Sequence, residues 1–162
     1  MKNTSARPAE SMENIMQAYG NMLFRLCLIM LGNASDAEDA VQETFIKYLQ
    51  KAPVFKSVEH EKAWLITVAT NQCRDVLRFR GRHPVVDVEE IKEYSEEVSD
   101  SAILDVLMTL PDKFRTVLVL YYVEEYRIED IAKIIGKTSS AVKMRLQKGR
   151  RLLREAYEKE SA

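Results

Sequence analysis

The chain has 162 residues, 46% of them hydrophobic and 30% charged, with a net charge of −1. That is enough apolar content for one sizeable packed domain or two small ones, and too much for a disordered chain. Gly (5) and Pro (4) are scarce, so the composition favours helices over strands. The longest apolar run, Leu26 to Leu31, is far too short to span a bilayer. The N-terminus carries no apolar signal core, which predicts a cytoplasmic protein.

In chain order, residues 1–11 read as a disordered tail. Residues 12–31 repeat apolar side chains at helical spacing (Ile15, Met16, Tyr19, Met22, Leu23, Leu26, Leu28, Ile29). At "GNASDAEDA", Gly32–Asn33 close that helix and Ser35 starts another as N-cap, with Glu38 completing a capping box. The second helix is expected to run to about Lys51, burying Ala37, Val41, Phe45 and Leu49 or Tyr48. Residues 53–62 read as a loop opened by Pro53. Residues 63–82 form a third helix with Leu65, Val68, Ala69, Val76 and Leu77 inside.

Residues 83–100 are different. Between His83 and Asp105 there are eight acids (Asp87, Glu89, Glu90, Glu93, Glu96, Glu97, Asp100, Asp105) and one base, Lys92. This stretch reads as an acidic flexible linker. Helical patterns resume at residues 101–109 and again at 114–123, after Pro111. Residues 128–135 then bury Ile128, Ile131, Ala132 and Ile135. Gly136 breaks the pattern, and a last helix begins at Ser139 with Thr138 or Ser139 as cap. The expected fold is all-α: two small helical domains, 12–82 and 101–158, a linker between them and a short tail at 159–162.

Three faces carry candidate chemistry. Two helices joined by a short glycine turn are a helix-turn-helix pattern. The second puts Val142, Leu146, Gly149 and Leu153 on one side, and Ser139, Ser140, Lys143, Met144, Gln147, Lys148 and Arg151 on the other. Hydroxyls followed by Lys, Gln and Arg can reach phosphates and base edges in a major groove. Arg150 and Arg154 add further phosphate-binding charge. On the third helix, Trp64 is followed by Asn71, Arg74, Asp75 and Arg78 along one flank. That flank fits unstacked single-stranded bases, while a core anchor with surface charges fits Trp64 equally well. On the second helix, Ile46 lies among Asp39, Gln42, Glu43 and Gln50. That face suits a protein contact with an apolar centre, or a surface with one stray isoleucine. No nucleotide loop, catalytic triad or metal-ligand spacing occurs, so neither an enzyme nor a cofactor or small-molecule substrate is expected. Cys27 and Cys73 read as two reduced core thiols.

Three stretches, "DAEDAVQETF", "AWLITVATNQCRDVLRFR" and "LPDKFRTVLVLYYVEEYRIEDIAKIIGKTSSAVKMRLQKGRRLLRE", together resemble bacterial RNA polymerase sigma factors of the extracytoplasmic-function group. The resemblance covers residues 12–82 and 101–158, as sigma-2 and sigma-4 domains. It implies that the helix bearing Asp36, Asp39, Gln42, Glu43, Ile46, Lys47 and Gln50 docks on core RNA polymerase. It implies that Phe55, Lys56, Ser57 and Val58 of the loop, with Trp64, Asn71, Arg74, Asp75 and Arg78, capture the −10 promoter element as single strand. The helix from Ser139 then reads the −35 element as duplex. An anti-sigma factor, in some relatives anchored in the membrane, is the implied regulator. The acidic linker fits the basic polymerase cleft through which nascent RNA would otherwise pass. A stand-alone helix-turn-helix regulator and a non-initiating sigma mimic are the rival readings.

Overall fold

The computed structural model describes residues 9–80 and 105–161, and every regular element in them is helical. The chain divides into two compact units between Pro84 and Val85. The expected linker, residues 1–8, Arg82 and Ala162 lie outside the described residues; the stretches 9–11 and 159–161, expected as tails, are instead helical, as the ends of the first and last helices.

The first unit is a three-helix bundle of α1 (Ala9–Leu31), α2 (Ala34–Lys51) and α3 (Val58–Arg80), each packed on the other two. Its centre is the run Leu26–Leu31, buried all round, with Leu23, Phe45, Leu65, Ile66 and both cysteines. Cys27 and Cys73 are buried thiols that form no disulfide among the described residues.

Four local expectations shift. The N-cap of α2 is Asn33 rather than Ser35: Asn33 Oδ1 accepts from Asp36 N at 2.8 Å, and Asn33 Nδ2 donates to Asp36 Oδ2 at 3.0 Å. An amide both accepts and donates, so Asn33 closes the cap with a single partner. The core stripe of α2 is Ala37, Ala40, Thr44, Phe45 and Tyr48, leaving Val41 and Leu49 half-buried. The third helix starts a full turn earlier than expected, at Val58, because Ser57 Oγ accepts from His60 N at 3.0 Å and caps it. The loop therefore shrinks to residues 52–57. The core side of α3 is Leu65, Ile66, Ala69, Thr70 and Cys73, whereas Val68, Val76 and Leu77 are half-buried.

In the second unit, residues 105–107 are helical and lead into α4 (Asp112–Leu118) through the N-cap Pro111. The expected continuous helix to Val123 instead widens at residues 119–123 into a π-helical turn, where Glu124 N donates to Val119 O at 3.0 Å. Arg115 is buried and ties the preceding segment down: Nη1 donates to Leu110 O at 2.8 Å. Burial pushes its pKa down, and the charge of Asp112 opposes this.

α5 (Ile128–Ile135) ends at Gly136, whose φ of 68° is the left-handed cap conformation that glycine adopts without a Cβ penalty. α5 buries Ile131, Ala132, Ile134 and Ile135; Ile128 is half-buried. Thr138 Oγ1 accepts from Ala141 N at 3.1 Å and caps α6 (Ser139–Ser161). Val142 and Leu146 are fully buried under α6, and Gly149 lets it approach α4. A Cβ there would lie 3.3 Å from Leu118 Cδ1 and 3.4 Å from Phe114 Cβ.

Candidate nucleic-acid interface

The recognition face of the second unit follows from that packing. With Val142, Leu146 and Gly149 inward, Ser140, Lys143, Met144, Gln147, Lys148, Arg150, Arg151 and Arg154 are exposed, and Ser139 is half-exposed under the cap. Met144 is 70% exposed, an apolar side chain among cations on a surface that nothing in the unit covers. Apolar contact with a thymine methyl is one use for such a group in a major groove.

Two residues that the sequence pattern did not single out join this face. Lys113 and Phe114 form one side of a groove whose other side is Met144, Arg145, Gln147, Lys148, Arg151 and Arg154. Lys113 Nζ and Lys148 Nζ lie 5.2 and 5.7 Å from the centroid of the same Phe114 ring. Cation–π attraction holds both side chains there. Among the described residues no carboxylate lines this groove, so its positive charge favours an anion. Arg151 makes only a long, exposed ion pair with Glu155, at 3.8 Å. Arg150 turns toward the π-helical turn, where Nη1 donates to Tyr122 Oη at 2.9 Å.

In the first unit an aromatic cluster underlies the loop. Tyr48 lies parallel to Phe55 with centroids 6.0 Å apart. Trp64 meets both edge-on, at 6.0 Å from Tyr48 and 5.9 Å from Phe55. Trp64 is half-buried, so it anchors the cluster and still reaches the surface. The loop's far end is latched twice. Besides the Ser57 cap, Lys56 N donates to His60 Nδ1 at 3.1 Å, and the His60 ring stands edge-on to Phe55 at 5.2 Å. Lys56, Ser57 and Val58 are exposed, with Val58, in the first turn of α3, 68% exposed.

Glu61 fastens this cluster to the bundle. Its carboxylate accepts from Tyr19 Oη of α1 at 3.0 Å and from Tyr48 Oη of α2 at 2.7 Å. Burial, then the bond to Glu61 and the nearby carboxylate charges, push the Tyr19 phenol up to about 12. Beyond Trp64, Asn71, Asp75 and Arg78 are exposed along α3 and Arg74 is half-exposed, with Asp75 and Arg78 in a loose pair at 3.7 Å.

On α2, Asp39, Gln42, Ile46 and Gln50 are exposed and Glu43 is half-exposed. Asp36 is engaged by Asn33, and Lys47 turns to α3, where Nζ donates to Gln72 Oε1 at 2.9 Å. Ile46, 45% exposed, borders an apolar groove between α1 and α2 that also includes Met12, Met16, Val41, Phe45 and Leu49. The two core residues expected on α2 but found half-buried, Val41 and Leu49, thus line an open groove.

Two helical units with an aromatic-floored polar strip on one and a basic helix-turn-helix face on the other define a two-module DNA-binding protein. Residues 15–83 match the family model described as Sigma-70 region 2, and residues 100–153 match that of Sigma-70, region 4. The chain belongs to the sigma-70 family of RNA polymerase sigma factors, in its extracytoplasmic-function group. It is 30% identical to the ECF RNA polymerase sigma factor SigW of Bacillus subtilis, over 96% of this chain and 93% of the relative. It is 30% identical to the RNA polymerase sigma factor SigV of the same organism, over 85% of each chain. Among solved structures it is similar to the sigma factor RpoE of Bartonella quintana in complex with the anti-sigma factor NepR. There the TM-score is 0.72 at 22% identity, covering 93% of this chain and 98% of that one. CnrH, solved with the cytosolic domain of CnrY, aligns with a TM-score of 0.67 at 20% identity, covering 93% and 90%. No helix of the described residues is long and apolar enough to cross a membrane.

Proposed function

We propose that this protein is an alternative sigma factor. It binds core RNA polymerase, reads −35 DNA as duplex and −10 DNA as single strand, and itself catalyses no reaction. The observation that supports this best is the pairing of two separately packed units, each with its own nucleic-acid face, in the order of the family's regions 2 and 4.

In this reading α6 enters the −35 major groove with Ser139, Ser140, Lys143, Met144 and Gln147. Lys148, Arg151 and Arg154, joined by Lys113, hold phosphates on either side. The loop 52–57 and α3 receive the −10 strand: Phe55, Lys56 and Ser57 at the loop, Val58 in the first turn of α3, then Trp64, Asn71, Arg74, Asp75 and Arg78. Unstacking a base costs a few kcal/mol, so a preformed receiving surface matters. The aromatic floor, the His60 latch and the Glu61 clasp supply that preorganisation. Core polymerase docks on the exposed α2 face, with Ile46 and the α1–α2 groove as apolar centre and Asp39, Gln42, Glu43 and Gln50 as polar rim. Two weak modules on one tether gain effective concentration, which makes joint promoter recognition tight. An anti-sigma partner, as in the complexes of the structural relatives, holds the protein inactive in the cytoplasm or at the membrane.

The test is reconstitution with core polymerase on a pool of genomic fragments, followed by run-off transcription and start-site mapping. The expected result is initiation at promoters sharing two spaced elements. Tight, specific duplex binding by the free protein with no core-dependent transcript would instead establish a stand-alone regulator. Core binding without any transcript would establish a mimic.

A further inference from the structure

Phe79 is 94% exposed, far more than any other large apolar side chain among the described residues. It lies near the C-terminal end of α3, beyond the inward positions Leu65, Ile66, Ala69, Thr70 and Cys73. The helical register explains where it points. Counting from Asn71, the exposed residues Asp75, Arg78 and Phe79 stand at i+4, i+7 and i+8, which is one stripe of an α-helix. That stripe carries the polar and basic residues assigned above to the −10 strand. Phe79 therefore extends the strip by one aromatic ring, beside an Arg78 side chain that is itself 74% exposed.

A bare aromatic ring beside an exposed arginine is a combination that binds unpaired nucleic acid. The cation holds the backbone and the ring stacks on a base, whichever base it is. A ring meant for a protein partner would instead be expected within an apolar patch, as Ile46 is with Met16 and Leu49. We propose that Phe79 is a stacking platform for an unpaired base of promoter DNA, at the far end of the strip that starts at Trp64. The inference rests on the sigma-factor reading and adds a base contact to it.

The experiment uses full-length protein assembled with core polymerase. The probes are a fork-junction DNA with an unpaired −10 strand and a fully duplex fragment of the same sequence. F79A and F79L are expected to bind the fork probe between about fivefold and a hundredfold more weakly, the range for loss of one base–aromatic stack. F79Y and F79W keep the ring and are expected within about twofold of wild type. Binding to core polymerase without DNA is expected to be unchanged in all four. 2-Aminopurine placed at successive positions of the unpaired strand locates the base: its quenching at one position is lost in F79A and F79L only. The ring makes almost no contact within the fold, so none of these changes unfolds the unit. If F79L matches wild type on the fork probe, the stacking role is wrong. If F79A weakens core binding without DNA, the occupant is protein and the inference is also wrong. Failure of wild-type protein itself to hold the fork probe with core polymerase would refute the sigma-factor reading, separately from these comparisons.

Discussion

Glu61 sits where three helices meet, and its removal tests whether the −10 surface is held from below. Its carboxylate accepts hydrogen bonds from Tyr19 and Tyr48, at 3.0 and 2.7 Å, and Tyr48 in turn carries Phe55 and Trp64. Hydrogen bonds to a charged acceptor contribute roughly 1.5–3 kcal/mol each, and a half-buried carboxylate belongs at the low end. Glu61→Leu leaves two hydroxyls of buried tyrosines without this acceptor, so the first unit is expected to lose about 3 kcal/mol. For a domain of this size that is a fall in Tm of about 12–24 °C. Glu61→Gln keeps a neutral acceptor and is expected to cost about 1 kcal/mol. Tyr19→Phe and Tyr48→Phe each remove one bond and are expected to fall between these two. Trp64 is the chain's single tryptophan and lies within the cluster, so its fluorescence in urea follows the first unit alone. The Tyr19 phenol adds a pH signature. Its folded pKa, about 12, lies above the ordinary 10.0, so the fold favours the neutral form. This contribution is complete below pH 10 and is lost as pH rises toward 12. Tyr19→Phe is expected to flatten that loss. If Glu61→Leu moves the Trp64 transition by less than about 0.5 kcal/mol, the clasp is not what holds the cluster.

Three further outcomes are expected. Thr70 Oγ1 is buried without a hydrogen-bond partner, so Thr70→Val is expected to raise first-unit stability by about 1 kcal/mol, read by Trp64 fluorescence; a loss of stability would show an overlooked bond. His60→Phe keeps the ring against Phe55 but removes the acceptor for Lys56 N, whereas His60→Asn places an oxygen near the Nδ1 position. Permanganate footprinting of the open complex is expected to show reduced melting for Phe and near-normal melting for Asn, with the reverse order excluding the latch. Arg151→Ala and Lys113→Ala are each expected to lower the salt slope of promoter binding by about 1 and to weaken all −35 sequences alike, while Gln147→Ala changes which sequences are preferred. Equal loss across sequences for Gln147 would mean that it faces phosphate, not bases.

The helix-turn-helix was the most legible part of the chain, for a physical reason. Its signals are local and agree: a helical apolar period over residues 128–135, a glycine that tolerates φ of 68°, and a hydroxyl cap two residues on. The start of α3 was not legible because its first turn is solvent-facing. Val58, Glu59 and His60 are exposed, and the apolar period begins only near Trp64, seven residues after the cap. Acids at Glu59 and Glu61 after a serine are the signal that could have marked it. At α2 the expected cap, Ser35, lies two residues past the observed one, Asn33, which by pattern belongs to the end of the preceding helix. The π-helical turn at residues 119–123 left no periodic trace, since one i+5 bond changes register without changing which residues are apolar.

The parts of the candidate site that escaped the sequence are those made by distant pairs. Glu61 reads as a loop carboxylate until Tyr19, 42 residues earlier, is seen to donate to it. Lys113 belongs to the recognition face only because Gly149 allows α4 to lie close against α6. The same reasoning explains why the pI of about 6.2 says little about a surface where cations cluster. Phosphate is met by a local field, and the field at α6 is set by Lys113, Arg145, Lys148, Arg151 and Arg154, with no acid among the described residues lining the groove. Acids elsewhere in the chain cancel those cations in the sum, and Glu155 meets Arg151 only across a long, exposed pair at 3.8 Å, yet five cations line the groove together. A near-neutral chain can therefore carry a strongly cationic reading head, provided its fold keeps the two signs apart.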